Sequence, residues 1–187
     1  ARNVTSVRVL GDHLLRFGND WWTDQTTLDI TPIERAAESE PQSEIDLSAL
    51  FGENAWSCNR SSEWSGQLFV KGNYAYVPRY NYAWANNGQE YEQRLTLYVI
   101  DLSDRNAPRA IGTVPLESIT DSGLYFAGIV QTENTLLIGR NKPAQYEYDY
   151  TTARSVERVR GRYYYDVIDL TNPAAPVVAT RFEVPAN

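Results

Sequence analysis

The chain repeats one pattern three times, and that repetition restricts it to a fold built from small, similar units. Residues 7–19 read V-R-V-L-G-D-H-L-L-R-F-G-N, residues 68–80 read L-F-V-K-G-N-Y-A-Y-V-P-R-Y, and residues 129–141 read I-V-Q-T-E-N-T-L-L-I-G-R-N. Each is an apolar stretch, a short turn and a second apolar stretch. The turn pairs are Gly11 with Asp12, Gly72 with Asn73, and Glu133 with Asn134. Gly, Asn and Asp tolerate a positive φ best, so each copy predicts a β-hairpin.

A second signature follows downstream. Residues 97–108 read L-Y-V-I-D-L-S-D-R-N-A-P and residues 165–176 read Y-D-V-I-D-L-T-N-P-A-A-P. The first copy is weaker: Leu28, Asp29, Ile30, Thr31 and Pro32, with its closing proline delayed to Pro41. In the two clear copies a third strand is expected to end at Asp101 or Asp169, and a fourth to begin after Pro108 or Pro176. The Asp and Ser or Thr side chains can accept hydrogen bonds from turn amides and hold the reversal, so Asp101 and Asp169 read as structural rather than catalytic. A proline at the start of an outer strand is tolerated because an edge does not need that N–H.

The unit is therefore four antiparallel strands, recurring at about 60 to 70 residues. Residues 97–100, 136–138 and 163–165 are apolar throughout, as in a sheet covered on both faces. Small four-stranded sheets covered by their neighbours are the blades of a β-propeller. The expected fold is all-β, with three four-stranded antiparallel blades at approximately 4–50, 65–118 and 123–185 and a connector at 51–64. No stretch keeps a helical period; the nearest candidate, residues 33–39, is a short polar turn.

The strings V-I-D-L-S-D-R-N-A-P and V-I-D-L-T-N-P-A-A-P, each preceded by a hairpin like G-N-Y-A-Y-V, resemble the LVIVD-type repeat of bacterial and archaeal β-propellers. The resemblance covers residues 65–184 well and residues 4–46 loosely. It implies a propeller fold and an exported or surface-attached protein, and it is almost silent on activity.

Composition bounds the partners. The 187 residues carry Lys+Arg 17 against Asp+Glu 24, a net charge of -7, which argues against a general nucleic-acid binder. The cluster of Arg154, Arg158, Arg160 and Arg162 is interrupted by Glu157 and reads as a solvated charged loop. Cys58 is the single cysteine, so no internal disulfide can form; an intermolecular bridge stays open to it. No cysteine or histidine cluster offers a metal site, and no cofactor is expected. His13, the single histidine, falls in a predicted strand. No Gly-x-Ser-x-Gly elbow or phosphate loop is present. No apolar run approaches the roughly 20 residues of a membrane span.

Chemistry is expected between the second and third strands of each blade. These segments are longer than turns: residues 19–25 hold Trp21 and Trp22, residues 81–93 hold Tyr82, Trp84 and Tyr91, and residues 141–161 hold Tyr146, Tyr148 and Tyr150. Read as loops on one face, they are too aromatic for solvated connectors. Either they pack on their own aromatics, or they form a binding face for protein or glycan, with Asn86, Asn87, Gln89 and Gln145 as polar partners. Glu90, Glu92, Glu147 and Asp149 could supply a glycosidase pair or a calcium site, but their spacing favours solvated charges. The leading expectation is a non-enzymatic, extracytoplasmic binding or assembly module. The alternative is a propeller portion of a larger enzyme or surface complex whose catalytic groups lie elsewhere. Three blades fall short of the about four to eight of closed propellers, so the expected partners are further blades or another protein subunit.

Overall fold

The computed structural model describes residues 3–20, 25–37, 40–48, 67–85, 90–119, 125–142 and 144–185. Blade 1 comprises β1 (Asn3–Leu10), β2 (His13–Asp20), β3 (Gln25–Pro32) and β4 (Ser43–Asp46), hydrogen-bonded in that order. Blade 2 comprises β5 (Phe69–Lys71), β6 (Tyr74–Ala85), β7 (Glu90–Asp101) and β8 (Arg109–Ile119), also in sequence order. In blade 3 the strands β9 (Tyr125–Gln131), β10 (Thr135–Lys142), β13 (Arg162–Asp169) and β14 (Val177–Pro185) form the sheet. Between β10 and β13 the chain makes a separate two-stranded sheet, β11 (Gln145–Asp149) and β12 (Arg154–Val159). The chain is all-β, in four-stranded antiparallel sheets of propeller-blade type.

The repeat is written into the backbone. Gly11 (φ 61) and Gly72 (φ 57) take the left-handed conformation that the first two hairpin turns require. The residue that follows the third strand then donates its N–H to a hairpin-turn carbonyl in every copy. Ile33 bonds Asp12, Leu102 bonds Asn73 and Leu170 bonds Asn134, each at 2.8 Å. The same tie at the same place identifies the three sheets as copies of one unit.

The two aspartates hold the reversals as their positions predict. Asp101 Oδ1 accepts the Ser103 amide at 2.9 Å, and Asp169 Oδ1 accepts the Thr171 amide at 2.7 Å. Asp101 also receives the Arg109 guanidinium at 3.1 Å, which ties the start of β8 back to the end of β7. Blade 1 has Pro32 at this position, with no carboxylate to hold a tight turn. There the chain makes a 3-10 turn, Ile33–Arg35, and its fourth strand is delayed to Ser43.

The chain forms two compact units. The first (Ala1–Asn81, Leu95–Pro115 and Pro173–Ala175) contains blade 1 and the turn-side part of blade 2. Its core joins Leu15, Phe17, Leu28 and Ile30 of blade 1 to Ala75, Val77, Tyr98, Ile100 and Leu102 of blade 2, none more than 9% exposed. Each large side chain so buried is worth about 1.5–3 kcal/mol. Polar contacts close the rim. Gln42 donates to Asn106 Oδ1 at 2.8 Å, the Ser43 hydroxyl donates to the Arg105 carbonyl, and the Tyr76 hydroxyl donates to the Pro173 carbonyl at 2.8 Å.

The second unit (Tyr82–Arg94, Leu116–Asn172 and Pro176–Asn187) contains the far ends of the β6 and β7 strands and blade 3. One face of blade 3 is fully buried through Leu136, Ile138 and Ile168, each at 0% exposure. The expectation that apolar runs mean two covered faces holds in blade 2, where Leu97, Tyr98, Val99 and Ile100 are all buried. It fails in blade 3: Leu137 and Tyr165 are half-buried and Tyr163 is 39% exposed. Alternate side chains of a strand point to opposite faces, and only one face of this sheet is packed. Among the described residues, no helix is long and apolar enough to cross a membrane.

Candidate functional site

The segments expected as aromatic loops are largely strand. Tyr82 and Trp84 lie in β6, Tyr91 in β7, and Tyr146 and Tyr148 in β11, with Tyr150 at the start of the following turn. The correction has a simple cause. Tyr and Trp at alternate positions are good strand formers, and period-two spacing is the pattern of a ladder rather than of a connector. Trp21 and Trp22 lie outside the described residues, as do Asn86, Asn87, Gln89 and Cys58.

The site that can be built in atomic detail is the β11–β12 hairpin. Its turn is set by Asp149, whose carboxylate accepts the Thr151 amide and the Thr152 hydroxyl, both at 2.8 Å. Those bonds, the Thr152 hydroxyl first, hold the Asp149 carboxyl below the ordinary aspartate range. Ala153 completes the reversal with φ 52, an uncommon conformation for a residue with a Cβ. The ladder pairs Tyr148 with Ser155, Glu147 with Val156 and Tyr146 with Glu157, and a bulge follows between Tyr146 and Gln145.

Directly opposed residues share a face, so the register sorts the hairpin into two surfaces. One carries Tyr146, Tyr148 and Tyr150 beside Ser155 and Glu157. The other carries Glu147, Asp149, Val156 and Arg154, with Arg158 Nε 2.7 Å from Glu147 Oε2. The three tyrosines form a row spaced at about 7 Å per step. They are 64%, 49% and 89% exposed in chain order, and Tyr148 meets Tyr150 edge to face with centroids 5.0 Å apart. Every residue of β12 is exposed.

An exposed two-stranded hairpin is marginal on its own, and water is a poor partner for three adjacent rings. The arrangement suits contact recognition: rigid rings supply area, while the phenol hydroxyls and the adjoining Ser155 and Glu157 supply polar handles. Of the four carboxylates named above, Glu147 pairs with Arg158 and Asp149 holds the turn, while the side chains of Glu90 and Glu92 lie outside what the structure describes. Among the described residues no three His, Cys, Asp or Glu side chains come together. His13 lies elsewhere, at the start of β2, where Nδ1 donates to Asp12 at 2.7 Å and Nε2 lies 3.0 Å from Gln42 Oε1. The hydrogen bond and charge of His13 hold the exposed Asp12 carboxyl below its usual value. Sequence reading missed Val156 and Ser155 as parts of this hairpin, although R-S-V-E-R-V carries a strand pattern once β11 is recognised as its partner.

The fold and the hairpin together define a propeller-blade protein with an exposed aromatic ribbon. Residues 65–83 match the family model of the LVIVD repeat, and the chain resembles proteins built from that repeat. The matched stretch runs through the β5–β6 hairpin of blade 2. No curated protein and no solved structure matches the chain.

Proposed function

We propose that the chain is a non-enzymatic binding or assembly module of an extracytoplasmic propeller-type protein, and that it recognises a protein surface through the tyrosine row of the β11–β12 hairpin. The observation that carries this reading is the exposure of Tyr146, Tyr148 and Tyr150 on one face of a ribbon that lends almost nothing to a core. Tyrosine is among the residue types that dominate interface hot spots, and this face aligns three of them. Its exposed, two-stranded form favours a protein surface over a sugar, which is more commonly held in a groove. The resemblance to LVIVD-repeat proteins supports the location outside the cytoplasm, which cell fractionation tests directly.

Photocrosslinking tests the contact. A benzophenone amino acid at position 150, in the full chain expressed in its native host, should give one discrete protein adduct that Tyr146→Ala with Tyr148→Ala abolishes. A probe at Glu133, on the hairpin turn of blade 3, serves as the control. An adduct indifferent to those substitutions, or equal labelling from the control, would overturn the reading. Binding to immobilised glycans without a protein adduct would replace it with sugar recognition.

A further inference from the structure

Blade 3 leaves open the face that blades 1 and 2 bury. The equivalence comes from backbone register. His13 faces Pro32 in blade 1 and Thr135 faces Asp169 in blade 3, each as the pair nearest the hairpin turn. Stepping along the strands from those pairs matches Leu15 with Leu137, Ile30 with Val167 and Leu28 with Tyr165. The bond from Leu102 to Asn73 sets the same count in blade 2, giving Tyr76, Val99 and Leu97. We call this the trailing face. Its members are 0% exposed in blade 1 and at most 1% exposed in blade 2. In blade 3, Leu137, Tyr165 and Val167 are only half-buried. Flanking them, Val130 opposite Leu137 is 59% exposed and Phe182 opposite Tyr165 is 44% exposed. Tyr165 and Phe182 stack with centroids 5.1 Å apart, giving a flat apolar surface.

The first unit shows what such a face takes. The trailing face of blade 1 is covered by the opposite, leading face of blade 2: Ala75, Val77, Tyr98 and Ile100, with Leu102 plugged in beside them. Blade 1 has its own leading face, at the equivalent positions Leu14, Arg16, Asp29 and Thr31, with Ile33 in place of Leu102. Ile33 is 45% exposed, whereas its counterparts Leu102 and Leu170 are both at 0%. On the adjoining β1, Val7 opposite Arg16 is 46% exposed and Val9 opposite Leu14 is 64% exposed. Arg16 is no obstacle to covering this surface. Its guanidinium bonds Asp29 at 2.7 Å and Thr31 at 2.9 Å, so its charge is already compensated.

We infer that a second copy of the chain covers the trailing face of blade 3, seating the leading face of its own blade 1 there as blade 2 seats on blade 1. The molecule carries both halves of a junction that it makes once inside its first unit. The trailing half is apolar at its centre. The leading half has the compensated Arg16–Asp29–Thr31 cluster there, with Asp29 and Thr31 only 5% and 0% exposed, and shows its apolar side chains at Ile33, Val7 and Val9. The contact is head to tail, with different surfaces meeting, and it is independent of the tyrosine row.

Sedimentation velocity of the full chain from about 1 to 100 µM tests this, with Val9→Glu on the leading face and Phe182→Glu on the trailing face. Wild type should self-associate with rising concentration. Each variant alone should associate about 100-fold more weakly, since a glutamate within the apolar border of the contact would be desolvated without a partner. An equimolar mixture should form one-to-one heterodimers, because Val9→Glu keeps its trailing face and Phe182→Glu keeps its leading face. Val7→Glu and Val184→Glu form a second pair should either first variant lose the wild-type circular dichroism spectrum. A wild type that stays monomeric means that something other than this chain covers the face, and overturns the inference. So does a mixture that stays monomeric, or a variant that associates like wild type.

Discussion

Arg140 sets its guanidinium against the carboxylate of Asp166 inside blade 3, with the two side chains 2% and 0% exposed. The other carboxylate oxygen takes Arg181 from β14, so a single aspartate links three strands, β10, β13 and β14. Removing the carboxylate takes a charge partner from Arg140 at a place water does not reach, while Arg181, at 25% exposure, can reach solvent. Asp166→Ala should therefore cost about 3–5 kcal/mol in urea denaturation. Replacing the pair together, Arg140→Met with Asp166→Leu, should cost clearly less than Asp166→Ala alone, because the buried guanidinium leaves together with its carboxylate. Equal losses would mean that the pair acts by packing only.

Asp101 gives the fold a pH dependence of known sign. The Ser103 hydroxyl and amide, and then Arg109, hold its carboxyl below the ordinary aspartate value. The folded chain thus resists protonation more than the unfolded chain does. The contribution of Asp101 is complete above the unfolded value of about 4 and is lost as pH falls through the lower folded value. Wild type should be more stable than Asp101→Asn at pH 6, and the gap should close in denaturation curves taken progressively below pH 4. A gap that does not change with pH would show that the charge is not used.

At the alkaline end the informative group is Tyr76, whose hydroxyl donates to the Pro173 carbonyl at 2.8 Å. Burial, and secondarily the neighbouring Tyr74, push its phenol up to about 12. The unfolded phenol ionises near 10, so the stabilisation is full below that value and fades as pH climbs through the folded one. Tyr76→Phe should lower stability at pH 7 by about 1–2 kcal/mol, the cost of a part-buried carbonyl left without its donor. It should also flatten the loss of stability between pH 10 and 12, which thermal melts can follow. An unchanged alkaline slope would assign that loss to other tyrosines.

Local chemistry made the blades legible. Gly11, Gly72, Asp101 and Asp169 mark reversals through their own side chains or their lack of one, so turns and strand ends can be read within a few residues of sequence. The same rule explains the weak first copy, where Pro32 stands in place of the aspartate and the chain takes a 3-10 turn. Arg140 and Asp166 lie 26 residues apart and meet only through register, so charge composition gave no sign of a buried pair. The half-open face of blade 3 was hidden for a related reason. Tyr163 and Leu137 look as apolar as Leu97 and Leu136, and hydrophobicity cannot say which face has a neighbour. Tyr146, Tyr148 and Tyr150 were legible as an aromatic cluster but not as a ribbon, because the length of the segment suggested a loop while its alternation encoded a ladder.

The ribbon should be removable. Lys142 and Arg162 face each other at the end of the β10–β13 ladder, so a two-residue Asn-Gly turn can join them directly in place of residues 143–161. The excised strands carry exposed side chains almost throughout, and the buried side of blade 3, Leu136, Ile138 and Ile168, is untouched. The shortened chain should therefore fold with a stability within about 1 kcal/mol of wild type, since surface changes away from core and caps are nearly neutral. Partner capture should vanish in the same protein, while head-to-tail association through Phe182 and Val9 persists. Loss of folding on excision would show that the hairpin is a structural brace, and that its tyrosines are exposed for some reason other than recognition.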